Sequence, residues 1–193
     1  MKQNKNEKIR CFVAIDLPQK NINRIKNIQK TIKEKNLFTG KFTKPENLHL
    51  TLKFLGEIDE EKIKKVKKRL KKINFDNFEA QLGNVNVFSK NFIKIVWIKL
   101  NGKSLLELQK KIDDNLDDLF KPEQRFMSHI TIARVKDVKN KETLIEFLKN
   151  IKNKEDKFKI NKFFLKKSEL FPEGPIYKNI EAFNLKALNS EIL

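Results

Sequence analysis

Hydrophobic side chains recur along this chain with two periods, and the alternation between the periods lays out its elements. Arg10-Cys11-Phe12-Val13-Ala14-Ile15-Asp16 is an apolar run suited to a central strand, and Pro18 is placed to start a helix. Ile22, Ile25, Ile28 and Ile32 then recur at helical spacing between residues 20 and 36. Residues 38–47 contain Gly40 and Pro45 and read as a loop. Leu48 to Leu55 reads as a strand closed by Gly56, after which Asp59 caps a helix with Ile63, Val66 and Leu70 on one side. Residues 75–88 read as two strand pieces broken at Gly83, with a bulge or bend between them.

The pattern then restarts. Phe92 to Leu100 is a strand, Asn101-Gly102 a turn, and Ser104 opens a helix carrying Leu105, Leu108, Ile112, Leu116 and Leu119, ended by Lys121-Pro122. His129 to Val135 is a strand, residues 141–151 a helix, and residues 158–165 and 175–183 are strands. The order β-α-β-α-β therefore occurs twice. An offset of 80 relates Ile15 to Ile95, His49 to His129, Thr51 to Thr131, Glu57 to Asp137 and Phe78 to Phe158. Several pairs at one spacing indicate an internal duplication with pseudo-two-fold symmetry. The expected organisation is a single domain over residues 1–193 with lobes at about 8–90 and 91–185, strand exchange between the lobes being allowed.

The duplicated stretch contains both histidines of the protein, in Leu48-His49-Leu50-Thr51-Leu52 and Ser128-His129-Ile130-Thr131-Ile132. On a strand, His and Thr share one face while Leu50 and Leu52, or Ile130 and Ile132, share the other. One such histidine is ordinarily just a packed side chain. Two in matching tetrapeptides at matching points of a repeat suit an acid/base couple, because imidazole changes charge near neutral pH. Thr51 and Thr131 point the same way and offer hydrogen bonds to phosphate oxygens. Arg134 supplies a positive fork, although strict alternation from His129 puts it on the opposite face; Lys53 has the right parity but a looser reach.

Charge sharpens the choice of substrate only a little. The net charge is +18, from 43 Lys and Arg against 25 acidic residues, and 38 of the 43 are Lys. Such an excess attracts polyanions, RNA among them, but Lys steers diffusely where Arg would grip phosphate. The basic clusters at 62–72 and 149–159 fall on helix faces and read as solvated surface. The single Cys11 excludes an internal disulfide and fits a reducing cytoplasm, with burial the expected state of its thiol. No apolar run approaches the length of a membrane span or a signal peptide core, and two His with one Cys do not make a usual zinc site. There is no Gly-x-x-x-x-Gly-Lys phosphate loop. The expected reaction uses neither metal, cofactor nor nucleotide.

The chain resembles the 2H phosphoesterase superfamily in its RNA 2′,3′-cyclic phosphodiesterase branch, also called the 2′-5′ RNA ligase family. Residues 10–18, the stretch from Asn47 to Glu57, the stretch from Ser128 to Val135, and the tail containing Lys167-Ser168-Glu169-Leu170 and Gly174-Pro175-Ile176-Tyr177 carry the likeness. It implies an α/β (α+β) fold of two pseudo-symmetric lobes, with antiparallel-rich sheets around a central cleft. It implies hydrolysis of RNA 2′,3′-cyclic phosphate ends to a 2′-phosphate; the expected enzyme is a cytoplasmic monomer, with tRNA fragments among its candidate substrates. His49 would be the proton donor, His129 the proton acceptor, and Thr51, Thr131 and Arg134 the phosphate-binding residues. Ser128 stands where the family commonly has Pro, which is expected to loosen the start of that strand. Phe42 stands where Trp is frequent, and would contact the base or pack. The rival readings are 2′-5′ ligation of cyclic-phosphate and 5′-hydroxyl ends by the same residues, and a basic RNA-binding module without catalysis.

Overall fold

The computed structural model describes residues 8–152 and 156–187. Its strands are β1 (Ile9–Asp16), β2 (Phe38–Phe42), β3 (His49–Ile58), β4 (Phe78–Val87), β5 (Ile95–Asn101), β6 (His129–Val138), β7 (Lys157–Ile160), β8 (Lys162–Phe171) and β9 (Gly174–Asn184). The helices are α1 (Gln19–Lys35), α2 (Glu60–Leu70), α3 (Leu105–Asn115) and α4 (Lys141–Lys149). Two antiparallel sheets result, one ordered β3-β1-β8-β9 and the other β2-β6-β5-β4-β7.

Each sheet draws on both halves of the chain. β8 and β9 complete the sheet begun by β1 and β3, while β2 and β4 enter the sheet built around β5 and β6. The helices are divided in the same crossed way. Gln29 of α1 donates to the carbonyl of Ile132 on β6, and α4 packs on β4. Asp113 of α3 pairs with Lys53 on β3, and Lys67 and Lys71, from α2 and its C-terminal cap, reach Glu181 on β9. Apolar side chains from the helix-covered faces form one continuous core, including Val13, Ile15, Leu50, Leu52, Ile98, Ile130 and Ile132. The opposite faces approach each other where β3 meets β6.

Local chemistry explains most boundaries. Asp59 caps α2 by accepting from the amide of Lys62 at 2.8 Å, and Asn140 does the same for α4 through Thr143 at 2.8 Å. Asn36 ends α1 in the left-handed conformation (φ 48°), which Asn tolerates. Cys11 is buried, and burial pushes its thiol up to about 11, leaving it an inert packing group. Among the described residues no helix is long and apolar enough to cross a membrane.

Four readings of the sequence need correction. The stretch read as a loop holds β2, whose Phe38 is buried and whose outward residues are polar, followed by a 3-10 turn at Pro45–Asn47. Residues 78–87 form one continuous strand instead of two pieces, although the expected bulge is present, between Leu82 and Val85. The strand expected at 158–165 is two strands interrupted at Asn161, which lie in different sheets. The offset of 80 holds for the histidine strands but not throughout. Ile15 pairs with Leu50 as Ile98, not Ile95, pairs with Ile130, and Phe158 lies opposite Ala80 instead of corresponding to Phe78.

Candidate active site

The two histidine strands share an irregularity that decides which side chains face the cleft. On β3, Thr51 pairs with Ala14 and Lys53 with Val13, so Leu52 is an extra residue. On β6, Thr131 pairs with Trp97 and Ala133 with Val96, so Ile132 is extra in the same place. A bulge of this kind shifts the alternation of all later side chains by one. Leu52-Lys53 and Ile132-Ala133 are thus consecutive buried pairs, and the next residue in each copy, Phe54 or Arg134, is exposed on the face of the histidine and threonine. Arg134 reaches the cleft because the strand bulges.

The bulge in β6 is held from behind. Gln29, buried in α1, donates to the carbonyls of Ile132 and Thr43 at 2.9 Å each, and the amide of Thr43 also donates to Ile132. In β3 the bulged segment is held by Lys53, whose ammonium bonds to Asp113 and to the carbonyl of Lys121. Lys53 is 3% exposed and shares the core-facing side of Val13, so it does not serve the cleft.

Each imidazole is oriented by a carbonyl two residues upstream. His49 Nδ1 lies 2.8 Å from the oxygen of Asn47, and His129 Nδ1 lies 2.8 Å from that of Met127. A carbonyl only accepts, so each Nδ1 carries its hydrogen and each neutral ring leaves Nε2 as the bare nitrogen. His49 Nε2 accepts from the Thr51 hydroxyl at 3.0 Å. Asn47 is itself buried and tied by its side-chain amide to the carbonyl of Pro175 at 2.8 Å, which fixes the support of His49 to the start of β9.

Aromatic rings bracket both histidines. Phe12 and Tyr177 lie 5.0 and 5.1 Å from His49, and Phe88 and Trp97 lie 4.9 and 6.3 Å from His129, centroid to centroid. Burial among such groups lowers the His49 pKa to about 4, because the charged ring cannot be hydrated there. The Asn47 carbonyl and Asp16 favour its charged form, whereas the buried Lys166 and the ring of His129 disfavour it. Lys166 in turn pairs with Asp16 at 2.8 Å. The two imidazoles are therefore near enough for charge on one to oppose charge on the other.

Tyr177 packs beside His49 and lies within electrostatic reach of the other sheet. Its ring meets His49 edge-on, and its hydroxyl, whose pKa burial raises, feels the opposing pull of the Arg134 guanidinium. His49, Thr51 and Tyr177 from one sheet thus share a cleft with His129, Thr131 and Arg134 from the other. Phe42 packs against Phe38 at 5.6 Å and toward the core. The start of β6 is not loosened at Ser128, whose hydroxyl and carbonyl bond to the backbone of Leu100. Sequence reasoning reads Phe12, Asp16 and Tyr177 only as strand residues and parts of the family likeness and misses their place at the site, along with that of Lys166, Phe88 and Trp97, because distant segments bring them there. The bulges did leave a signal: apolar spacing changes from two to three at Leu50-Leu52-Leu55 and at Ile130-Ile132-Val135.

Comparison with known proteins agrees with this architecture. The model of the LigT-like phosphoesterase family matches twice, over residues 15–97 and 98–177. The chain belongs to that family. This phosphoesterase is 36% identical over 180 residues to the RNA 2′,3′-cyclic phosphodiesterase of Methanocaldococcus jannaschii, an alignment covering 90% of this chain and 99% of that one. It is 33% identical over 184 residues to the protein of the same name from Methanothermobacter thermautotrophicus, covering 92% and 100%. TT0787 of Thermus thermophilus shares the fold with a TM-score of 0.76 at 23% identity, covering 93% of this chain and all of that one. Apo LigT of E. coli does so with 0.74 at 21% identity, covering 94% and 99%.

Proposed function

We propose that the chain hydrolyses the 2′,3′-cyclic phosphate at an RNA end, leaving a 2′-phosphate. The observation that carries this reading is the pair of imidazoles from two copies of one strand, each with Nδ1 occupied by a carbonyl and Nε2 left for chemistry. The relatives at 33% and 36% identity bear the name of this activity, which favours hydrolysis over the joining reaction.

In the proposed reaction a water oxygen forms a bond to phosphorus on the side opposite the 3′ oxygen, and the bond from phosphorus to the 3′ oxygen breaks. His129 Nε2 takes the proton of the water, and His49 Nε2 gives a proton to the departing oxygen. The 2′ ester stays intact, and one water is consumed. Thr51, Thr131 and Arg134 hold the non-bridging oxygens, the guanidinium offsetting charge that grows as the water attacks. In the free protein the His49 ring is neutral at pH 7. The donated proton is therefore taken up from solvent as the substrate binds, because the phosphate's negative charge beside the ring favours the charged imidazole that burial alone disfavours.

Both histidines come from one chain, so a monomer suffices. The exchanged strands leave neither lobe with a complete sheet of its own, and we take the chain to act as a single domain. Lone, buried Cys11 suits the cytoplasm. tRNA fragments with cyclic ends fall within the substrate class. The test is a short oligoribonucleotide with a 2′,3′-cyclic end, incubated with the protein and EDTA and followed by phosphorus NMR. Conversion to a 2′-phosphate is expected; a 3′-phosphate product, or no conversion, overturns the reading.

A further inference from the structure

The two walls of the cleft differ at one pair of equivalent positions. Arg134 on β6 and Phe54 on β3 lie three residues past their threonines, and the identical bulges turn both toward the cleft. β3 is an edge strand, so among the described residues no strand flanks Phe54 on its outer side, whereas β6 is flanked by β2. β2 places Lys41 directly opposite Arg134, on the same face. Both side chains are exposed, and neither has a carboxylate partner among the described residues. Asp137, the carboxylate on that part of β6, lies opposite Thr39 and pairs with neither cation.

Like charges set directly across a strand pair repel, so this arrangement costs stability unless an anion lies between them. The contact is also closely fitted. A Cβ on Gly40 would stand 2.2 Å from the carbonyl oxygen of Arg134, so only glycine lets β2 lie this near to β6 and carry Lys41 to the guanidinium. By contrast, the buried lysine of the other wall, Lys166, is neutralised by Asp16.

We propose that Lys41 is a second phosphate contact, binding the phosphodiester on the 5′ side of the terminal nucleotide while Arg134 bridges toward the cyclic phosphate. This rests on the RNA phosphodiesterase reading above. It implies that the enzyme distinguishes an RNA end from a free cyclic nucleotide, since the mononucleotide has no such phosphodiester.

The experiment compares kcat/KM for a 2′,3′-cyclic mononucleotide and a 2′,3′-cyclic-ended trinucleotide, using wild type, Lys41→Met, Lys41→Arg and Lys26→Met. Lys26 is an exposed cation on α1, on the far side of the sheet, and controls for net charge. Lys41→Met is expected to lower the trinucleotide-to-mononucleotide ratio by about two- to fivefold, the upper part of the range of one exposed charge pair, with Lys41→Arg restoring it and Lys26→Met leaving it alone. The salt dependence of trinucleotide KM should also flatten by about 0.7 in log–log slope, the single-strand value for one phosphate contact. Equal effects of Lys41→Met on both substrates, or a matching change in Lys26→Met, overturn the second contact while leaving the phosphodiesterase reading standing. Absence of turnover by wild type on either substrate overturns that reading, and this contact with it.

Discussion

Phe54 and Arg134 occupy one position in two copies of the same strand, three residues beyond a threonine and past an identical bulge. One copy offers the cleft an aromatic ring and the other a guanidinium. Duplication thus supplied two histidines and two threonines in matching places, and divergence at the next cleft-facing position made the walls chemically different. Under the proposed function, the Arg134 wall is the one that would draw the anion.

If Arg134 holds the phosphate through its fork, a lysine there should not replace it. Arg134→Lys is expected to lower kcat/KM for a cyclic-ended oligonucleotide by about 10- to 100-fold while leaving the fold intact. Steady-state kinetics would show this, and wild-type values in the variant would place Arg134 off the substrate.

The segment beyond the β3 bulge depends on a buried charge pair. Lys53 and Asp113 are 3% and 7% exposed, and Asp113 also accepts from Gln109 and from the amide of Glu123. Lys53→Met leaves the carboxylate without its cation and is expected to cost about 3 kcal/mol in denaturant unfolding. Adding Asp113→Leu should recover part of that loss. Fully additive costs would mean the two groups do not interact.

Gly40 tests the approach of β2 to β6. Gly40→Ala should destabilise by about 2 kcal/mol, because the carbonyl of Arg134 is backbone and must move to admit a methyl group. It should also weaken substrate binding, since the displaced oxygen belongs to Arg134 itself. An unchanged midpoint in urea would contradict the packing.

The His49 ring titrates near 4 in the folded protein, against an ordinary 6.5. Between those values the unfolded chain binds more protons than the folded one, so stability contributed by this residue is complete above 6.5 and falls as pH drops toward 4. Urea unfolding at about pH 4.5 and about pH 7.5 should therefore show a smaller pH effect in His49→Asn than in wild type. In NMR the His49 midpoint should move upward when inorganic phosphate is added. A midpoint indifferent to phosphate would remove His49 from the anion site.

Much of this was legible in the order of residues. The four helices and the two histidine strands follow from apolar spacing, and the repeat follows from the matched tetrapeptides. What local pattern could not convey was partnership. β2 is an edge strand with polar outward residues and a glycine, so it looked like a loop, and its pairing with β6 lies nearly a hundred residues away. The cut at Asn161, which sends β7 and β8 to different sheets, is likewise a matter of long-range pairing. Lys53 and Arg134 exchanged faces relative to strict alternation because one residue is inserted between each of them and the threonine. Tyr177 lies in the tail that carries the family likeness, but neither it nor Lys166 has a role readable from local pattern, and only the exchange of β8 and β9 into the first sheet brings them to His49.

The most direct measurement is turnover of a 2′,3′-cyclic-ended oligoribonucleotide by wild type, His49→Ala and His129→Ala at saturating substrate. Two imidazoles trading protons across one phosphorus predict a fall in kcat of about 10²–10⁴-fold for either substitution, the usual loss of a positioned acid or base. Wild-type kcat in either variant would contradict the account.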